Sequence, residues 1–156
     1  MKLLFKQCFF SWLDSYDIFD EAGNTVYTVE GKMSFGHCLH VLDAWGNHVA
    51  TLKEKVFTWM PKFEIYLNDN YAGSVEKELS FLKPRYQIDF RGWSVEGDFM
   101  EWDYLVKNGT GLTVAAVTKE LFHMTDTYSI EVSDPQDALC ALMLALAIDA
   151  EKCSRN

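Results

Sequence analysis

The residues best suited to chemistry gather in one short stretch, His37-Cys38-x-His40, with His48 across the following turn. Imidazole and thiolate are the usual zinc donors. On a strand, however, successive side chains alternate between faces. His37 and His40 then point to opposite sides, and only Cys38 and His40 share one. Two donors on one face do not make a metal site, so ordinary strand residues are the better reading. Cys38 beside His40 also has the outline of a nucleophile and its base, but no third orienting group or oxyanion device is readable. No catalytic residue, metal or cofactor is expected.

A second candidate is the acidic stretch Glu96-x-Asp98-x-x-Glu101-x-Asp103. Paired carboxylates suit glycoside hydrolysis, and acidic loops hold calcium. These acids alternate with Trp93, Phe99, Met100, Trp102 and Tyr104, which is the pattern of adjoining strands with one wet face. The glycine and distant glutamate that a calcium loop requires are missing. Phosphate-loop, dinucleotide and G-x-S-x-G signatures are absent as well.

The third candidate is a basic island. Residues 53–85 carry Lys53, Lys55, Lys62, Lys77, Lys83 and Arg85 against five acids, whereas residues 86–151 carry three bases against twelve acids. Such an island on an acidic molecule could face anionic headgroups, each base being worth about 1 kcal/mol near such a surface. A solvated face is the plainer reading. Overall the 156-residue chain has a net charge of -9, which repels phosphate backbones and argues against a nucleic-acid partner.

The elements that must position these residues are short strands. The chain is 49% hydrophobic and 15% aromatic, a composition that is globular and leans toward strands. Turn clusters rich in Asn and Gly recur, at Asp20–Asn24, Asp43–Asn47, Asn68–Asn70 and Asn108–Gly111. Two of these hairpins are copies, 23 residues apart: Asp20-x-x-Gly-Asn-x-Val-x-x-Val and Asp43-x-x-Gly-Asn-x-Val-x-x-Leu, each followed by a lysine, Lys32 or Lys55. Counting runs between turns predicts about twelve strands within 4–132, including 4–12, 58–67 and 71–82. Pro61 and Pro84 fall at breaks or edges.

After residue 132 the pattern changes. Asp134 is a good N-cap, Pro135 fits the first helical position, and Asp137 suits the first turn. Ala138 to Ile148 is apolar without interruption, between Asp137 and Asp149. At about 1.5 Å per residue this run is far short of the roughly 20 residues a membrane span needs. No transmembrane segment is expected. A helix apolar all round must be buried all round. Twelve antiparallel strands closed on themselves enclose a lumen too wide for their own side chains. A helix over about 135–150, threaded through that lumen, satisfies both requirements. Residues 1–156 are thus expected to form one mostly β domain, a closed antiparallel barrel around a buried hydrophobic C-terminal helix.

The cysteines Cys8, Cys38, Cys140 and Cys153 are scattered and make no disulfide framework. Lys6 and the lack of a small-residue site before Trp12 and Asp14 argue against a signal peptide. A cytoplasmic protein with free thiols is expected.

In the order of its features the chain resembles the LURP-one-related family. The paired Asp-x-x-Gly-Asn hairpins with their lysines and the Asp134-Pro, Leu-rich helix ending in Ala147-Ile-Asp149 carry the resemblance, which covers nearly the whole chain. It implies the tubby C-terminal-like fold, a twelve-stranded barrel around a central helix, with phospholipid scramblases and tubby proteins as distant relatives. Tubby proteins bind phosphoinositides through a basic groove. With no catalytic motif and a helix-filled lumen, the expected function is a non-enzymatic binding or scaffold module, its partner an unknown protein or an anionic lipid surface. The alternative is a peripheral membrane module that binds anionic phospholipid headgroups through Lys53, Lys55, Lys62, Lys77, Lys83 and Arg85. An enzyme or small-ligand carrier ranks third. Neutral vesicles should bind weakly or not at all, since no apolar segment of inserting length is evident.

Overall fold

The computed structural model describes residues 1–6, 14–83, 85–98, 101–120 and 127–153. Cys8, Trp12, Pro84, Phe99, Met100 and the second half of the expected first strand lie outside them, as does the side chain of Cys153.

Twelve strands form one antiparallel sheet. They are β1 (Lys2–Lys6), β2 (Ser15–Phe19), β3 (Thr25–Lys32), β4 (Cys38–Asp43), β5 (His48–Lys55), β6 (Lys62–Leu67), β7 (Asn70–Glu78), β8 (Arg85–Phe90), β9 (Ser94–Asp98), β10 (Asp103–Lys107), β11 (Thr113–Lys119) and β12 (Thr127–Val132). The spatial order is β8-β7-β6-β5-β4-β3-β2-β1-β12-β11-β10-β9. The expected barrel is what forms: β1 joins β12, with Lys2 opposite Glu131 and Lys6 opposite Thr127, and the sheet curls round a helix. One seam remains. No ladder joins β8 to β9 among the described residues, although a short turn through Arg91 and Gly92 connects them.

The helix α1 (Ala138–Cys153) is the axis of the core. Asp134 accepts from the Gln136 amide at 3.0 Å, and Pro135–Asp137 make a 3-10 turn that leads into α1. Residues Ala141 to Ala150 are all buried to within 1% exposure. The inward residues of the strands, among them Leu3, Ile18, Val41, Leu52, Ile65, Val117 and Ile130, close round them. The helix runs three residues past the expected end, to Cys153, so Asp149 is inside it rather than at its boundary.

The copied turns are copies in detail. In each, one Asp carboxylate oxygen accepts two backbone amides, those of Ala22 and Asn24 from Asp20 and those of Trp45 and Asn47 from Asp43, all at 2.9 Å. Gly23 and Gly46 take φ of 86° and 85°, which a side chain would resist. These amides also hold both Asp carboxyls below their usual range.

Because every pairing is antiparallel and the strands follow one another, the two ends of the barrel differ. The tight turns after β2, β4, β6, β8 and β10 all fall at one end. The connections after β3, β5 and β7 fall at the other, where α1 also ends. Two of those connections are longer than expected. Residues 58–61 and 79–82 are loop, not strand. The Thr58 hydroxyl donates to the carbonyls of Lys55 and Met60, which turns the chain out of β5 before Pro61.

Candidate functional site

The loop end collects the exposed apolar surface. Of fourteen exposed large hydrophobic residues among the described ones, eight are in these three connections: Met33 and Phe35, then Val56, Phe57 and Trp59, then Leu79, Phe81 and Leu82. Trp59, Phe81 and Leu82 are about 95% exposed, at 94%, 95% and 95%, and Phe57 is 89% exposed. Such side chains normally find cover, and a cluster of them marks an interaction surface. The loops are tied to the barrel rather than loose. The rings of Phe35 and Phe57 lie 5.7 Å apart, the Glu54 amide donates to the His37 carbonyl at 2.8 Å, and the Lys77 amide donates to the Pro61 carbonyl at 2.9 Å.

The basic island lies at the same end. Lys53 and Lys55 close β5, Lys62 opens β6, Lys77 nears the end of β7, Lys83 is in the next loop and Arg85 opens β8. They do not form a uniform set. Lys53, Lys83 and Arg85 are exposed, and none of the three makes an ion pair among the described residues. Lys55 stands 3.8 Å from Glu64. Lys77 turns inward, with its side chain 18% exposed and its Nζ 3.8 Å from Glu151.

That inward turn leads to a buried charged cluster which the sequence reading missed. Asp149 and Glu151, on the last turns of α1, are 0% and 1% exposed. The Tyr86 hydroxyl donates to Glu151 at 2.5 Å. Burial, with the Asp149 carboxylate nearby, pushes the Tyr16 and Tyr104 hydroxyls well above their usual range. The Lys152 ammonium sits 4.0 Å over the Trp102 ring, and burial pushes it down to about 8 despite the surrounding carboxylates. Trp102 itself is buried with φ of 55°, a strained conformation for a bulky residue.

Lys152 gives a pH prediction. Its folded pKa is below the unfolded one, so between about 8 and 10.5 the unfolded chain binds more protons there, and this site adds stability as pH rises. The buried thiols of Cys38 and Cys140 are pushed up and act in the opposite sense. The difference between wild type and Lys152→Met isolates the amine. Urea midpoints measured from pH 7.5 to about 9.5 should move in favour of wild type as pH rises; a constant difference would mean the amine is solvated.

The remaining candidates separate. His37 pairs with Glu54. His40 stacks on His48 with ring centroids 4.4 Å apart, and burial plus that neighbour lowers its pKa. Cys38 is buried. Among the described residues no three His, Cys, Asp or Glu side chains gather as a metal would require. In the acidic stretch, Glu96 pairs with Lys107 across β9 and β10 at 2.7 Å, and Asp98 accepts the Glu101 amide at the turn. Among the described residues no helix is long and apolar enough to cross a membrane.

A twelve-stranded antiparallel sheet wrapped on one apolar helix is a tubby-like barrel. It is similar to an X-ray structure of a protein from Arabidopsis thaliana, with a TM-score of 0.63 and 17% identity over 96% of this chain and 91% of that one. The profile of the LURP-one-related family matches residues 1–149, and the chain belongs to that family. A Bacillus subtilis (strain 168) relative, the uncharacterized protein YxjI, is 25% identical over 150 residues, which is 96% of this chain and 92% of the relative.

Proposed function

We propose that the protein is a non-enzymatic binding module that docks the loop end of its barrel on an anionic membrane surface. One observation carries this reading: eight exposed apolar side chains and the exposed bases Lys53, Lys83 and Arg85 share one end of the molecule. A phenylalanine or tryptophan moved fully out of water gains about 1.5–3 kcal/mol, and each base near an anionic surface adds about 1 kcal/mol. Aromatic rings beside cations suit the headgroup boundary, where one end of the side chain is dry and the other wet. The net charge of -9 opposes approach at long range, but that repulsion is screened beyond a Debye length of about 8 Å. The loops are too short to span a bilayer, so the contact is peripheral.

Co-sedimentation tests this. Wild type should pellet with phosphatidylglycerol-containing vesicles and not with phosphatidylcholine alone, and added salt should weaken binding. Lys83→Glu with Arg85→Glu should weaken it at least about tenfold. Phe57→Glu with Trp59→Glu should weaken it comparably, by removing insertion. All four positions are exposed, so both variants should fold. Binding that ignores salt and both variants would overturn the reading and leave a protein partner as the account.

A further inference from the structure

The seam between β8 and β9 holds a groove of about 890 Å³ that opens at the loop end. That volume lies within the roughly 300–1,000 Å³ range of small-ligand sites. The two strands leave the Arg91–Gly92 turn together and the groove takes the space between them further along, beneath the β7–β8 loop. Every other adjacent pair in the sheet is hydrogen-bonded among the described residues, β1 to β2 through one pair, Leu4 opposite Phe19. An open edge exposes backbone N–H and C=O groups, and proteins normally cover it. The inward residues beside it, Tyr86, Ile88 and Val95, are partly buried, as are Tyr16, Tyr27 and Leu67 elsewhere on the inner face.

The lining has two characters. Leu79, Phe81, Leu82, Val95 and the Tyr86 ring supply an apolar trough, with Lys83 and Arg85 beside it. Glu78 and Glu96 also border the groove. Glu96 is answered by Lys107 at 2.7 Å; of the other charged lining groups, Glu78 stands opposite Arg85 across the β7–β8 ladder, and Glu78, Lys83 and Arg85 make no ion pair among the described residues, which leaves an excess of one positive charge. The groove therefore favours a molecule that is apolar along its length and anionic at one end.

We propose that the groove seats one anionic phospholipid, its phosphate between Lys83 and Arg85 and an acyl chain in the trough of Leu79, Phe81, Leu82 and Val95. This rests on the membrane-docking reading, because the groove opens on the face that would meet the bilayer. It adds a specific site to a general attraction. A diffuse surface contact would order vesicles by charge alone. A seated lipid is also recognised one molecule at a time, without a bilayer.

The probe is dihexanoyl phosphatidic acid below its micelle concentration. Titration followed by amide NMR should give saturable shifts at Tyr86, Val95 and Gly97. Lys83→Glu with Arg85→Glu should weaken the probe at least about tenfold. Phe57→Glu with Trp59→Glu lies on a different loop and should leave probe affinity unchanged while reducing vesicle binding. Inorganic phosphate and dihexanoyl phosphatidylcholine should each bind at least about tenfold more weakly than the probe. Equal binding by inorganic phosphate would reduce the groove to an anion site and overturn the proposal, and so would shifts confined to other elements. Wild type that pellets with vesicles but ignores the probe overturns the groove alone. Wild type that takes the probe but no vesicle overturns docking alone, and failure of both removes both readings.

Discussion

Leu142→Asp should leave the chain without a cooperative unfolding transition. Leu142 is 0% exposed, in a helix whose residues from Ala141 to Ala150 are all buried. A carboxylate there would sit among apolar core side chains, two turns from Asp149, the first charged group of α1. Burying an unpaired charge costs several kcal/mol even after it takes up a proton, against a total stability of about 5–15 kcal/mol. The helix cannot escape by rotating, because it has no wet face to offer. Leu142→Met keeps the volume and should cost less than about 1.5 kcal/mol, so it separates burial of charge from mere repacking. Thermal and urea unfolding followed by near-ultraviolet circular dichroism would read both. A soluble Leu142→Asp protein with an unchanged transition would mean that α1 is not the core.

Removing residues from Asp134 onward should be as severe. The strands would keep their alternating pattern, but Leu3, Val41, Leu52, Ile65 and Ile130 would face an empty lumen. The sheet cannot collapse on itself, because twelve strands set a circumference their own side chains do not fill. Size-exclusion chromatography of the 1–133 chain should therefore show aggregate or an expanded species. A monomer with a sharp transition would make the helix an appendage.

Much of this fold was legible because local chemistry and global structure agree. Asp20 and Asp43 each accept two amides at fixed offsets, and such a turn reads the same in sequence and in space. The apolar run from Ala138 is legible because nothing else would shelter it. What stayed hidden depends on distant partners. Asp149 read as a helix end and Glu151 drew no reading, because Lys77 and Tyr86, the groups beside Glu151, lie on strands more than sixty residues before it. The exposed apolar tips were concealed by their own composition. Phe57, Trp59, Phe81 and Leu82 look like continuations of the strands beside them, so 58–67 and 71–82 were expected to be extended throughout. The seam was hidden for the opposite reason. The short connection at Arg91–Gly92 promises a zipped hairpin, and only the absence of a β8–β9 ladder among the described residues shows otherwise. The bases Lys53, Lys55, Lys62, Lys77, Lys83 and Arg85 were gathered by sequence, but which of them face solvent and which turn inward needed the fold.

The position of α1 in the chain also has a consequence for how the protein is made. The helix that the strands enclose follows all twelve of them in the sequence, so it leaves the ribosome after them. β1 waits for β12, whose residues pair with it from more than 120 positions further on. Neither the closing ladder nor the core exists while the strands are being synthesised, so a nascent chain of hairpins has no apolar surface to pack on. Folding then waits on β12 and the helix rather than on local hairpin formation, and such non-local closure is intrinsically slow. On a stalled ribosome the hairpins should remain protease-sensitive until residue 153 has cleared the exit tunnel, and become protected together in a single step.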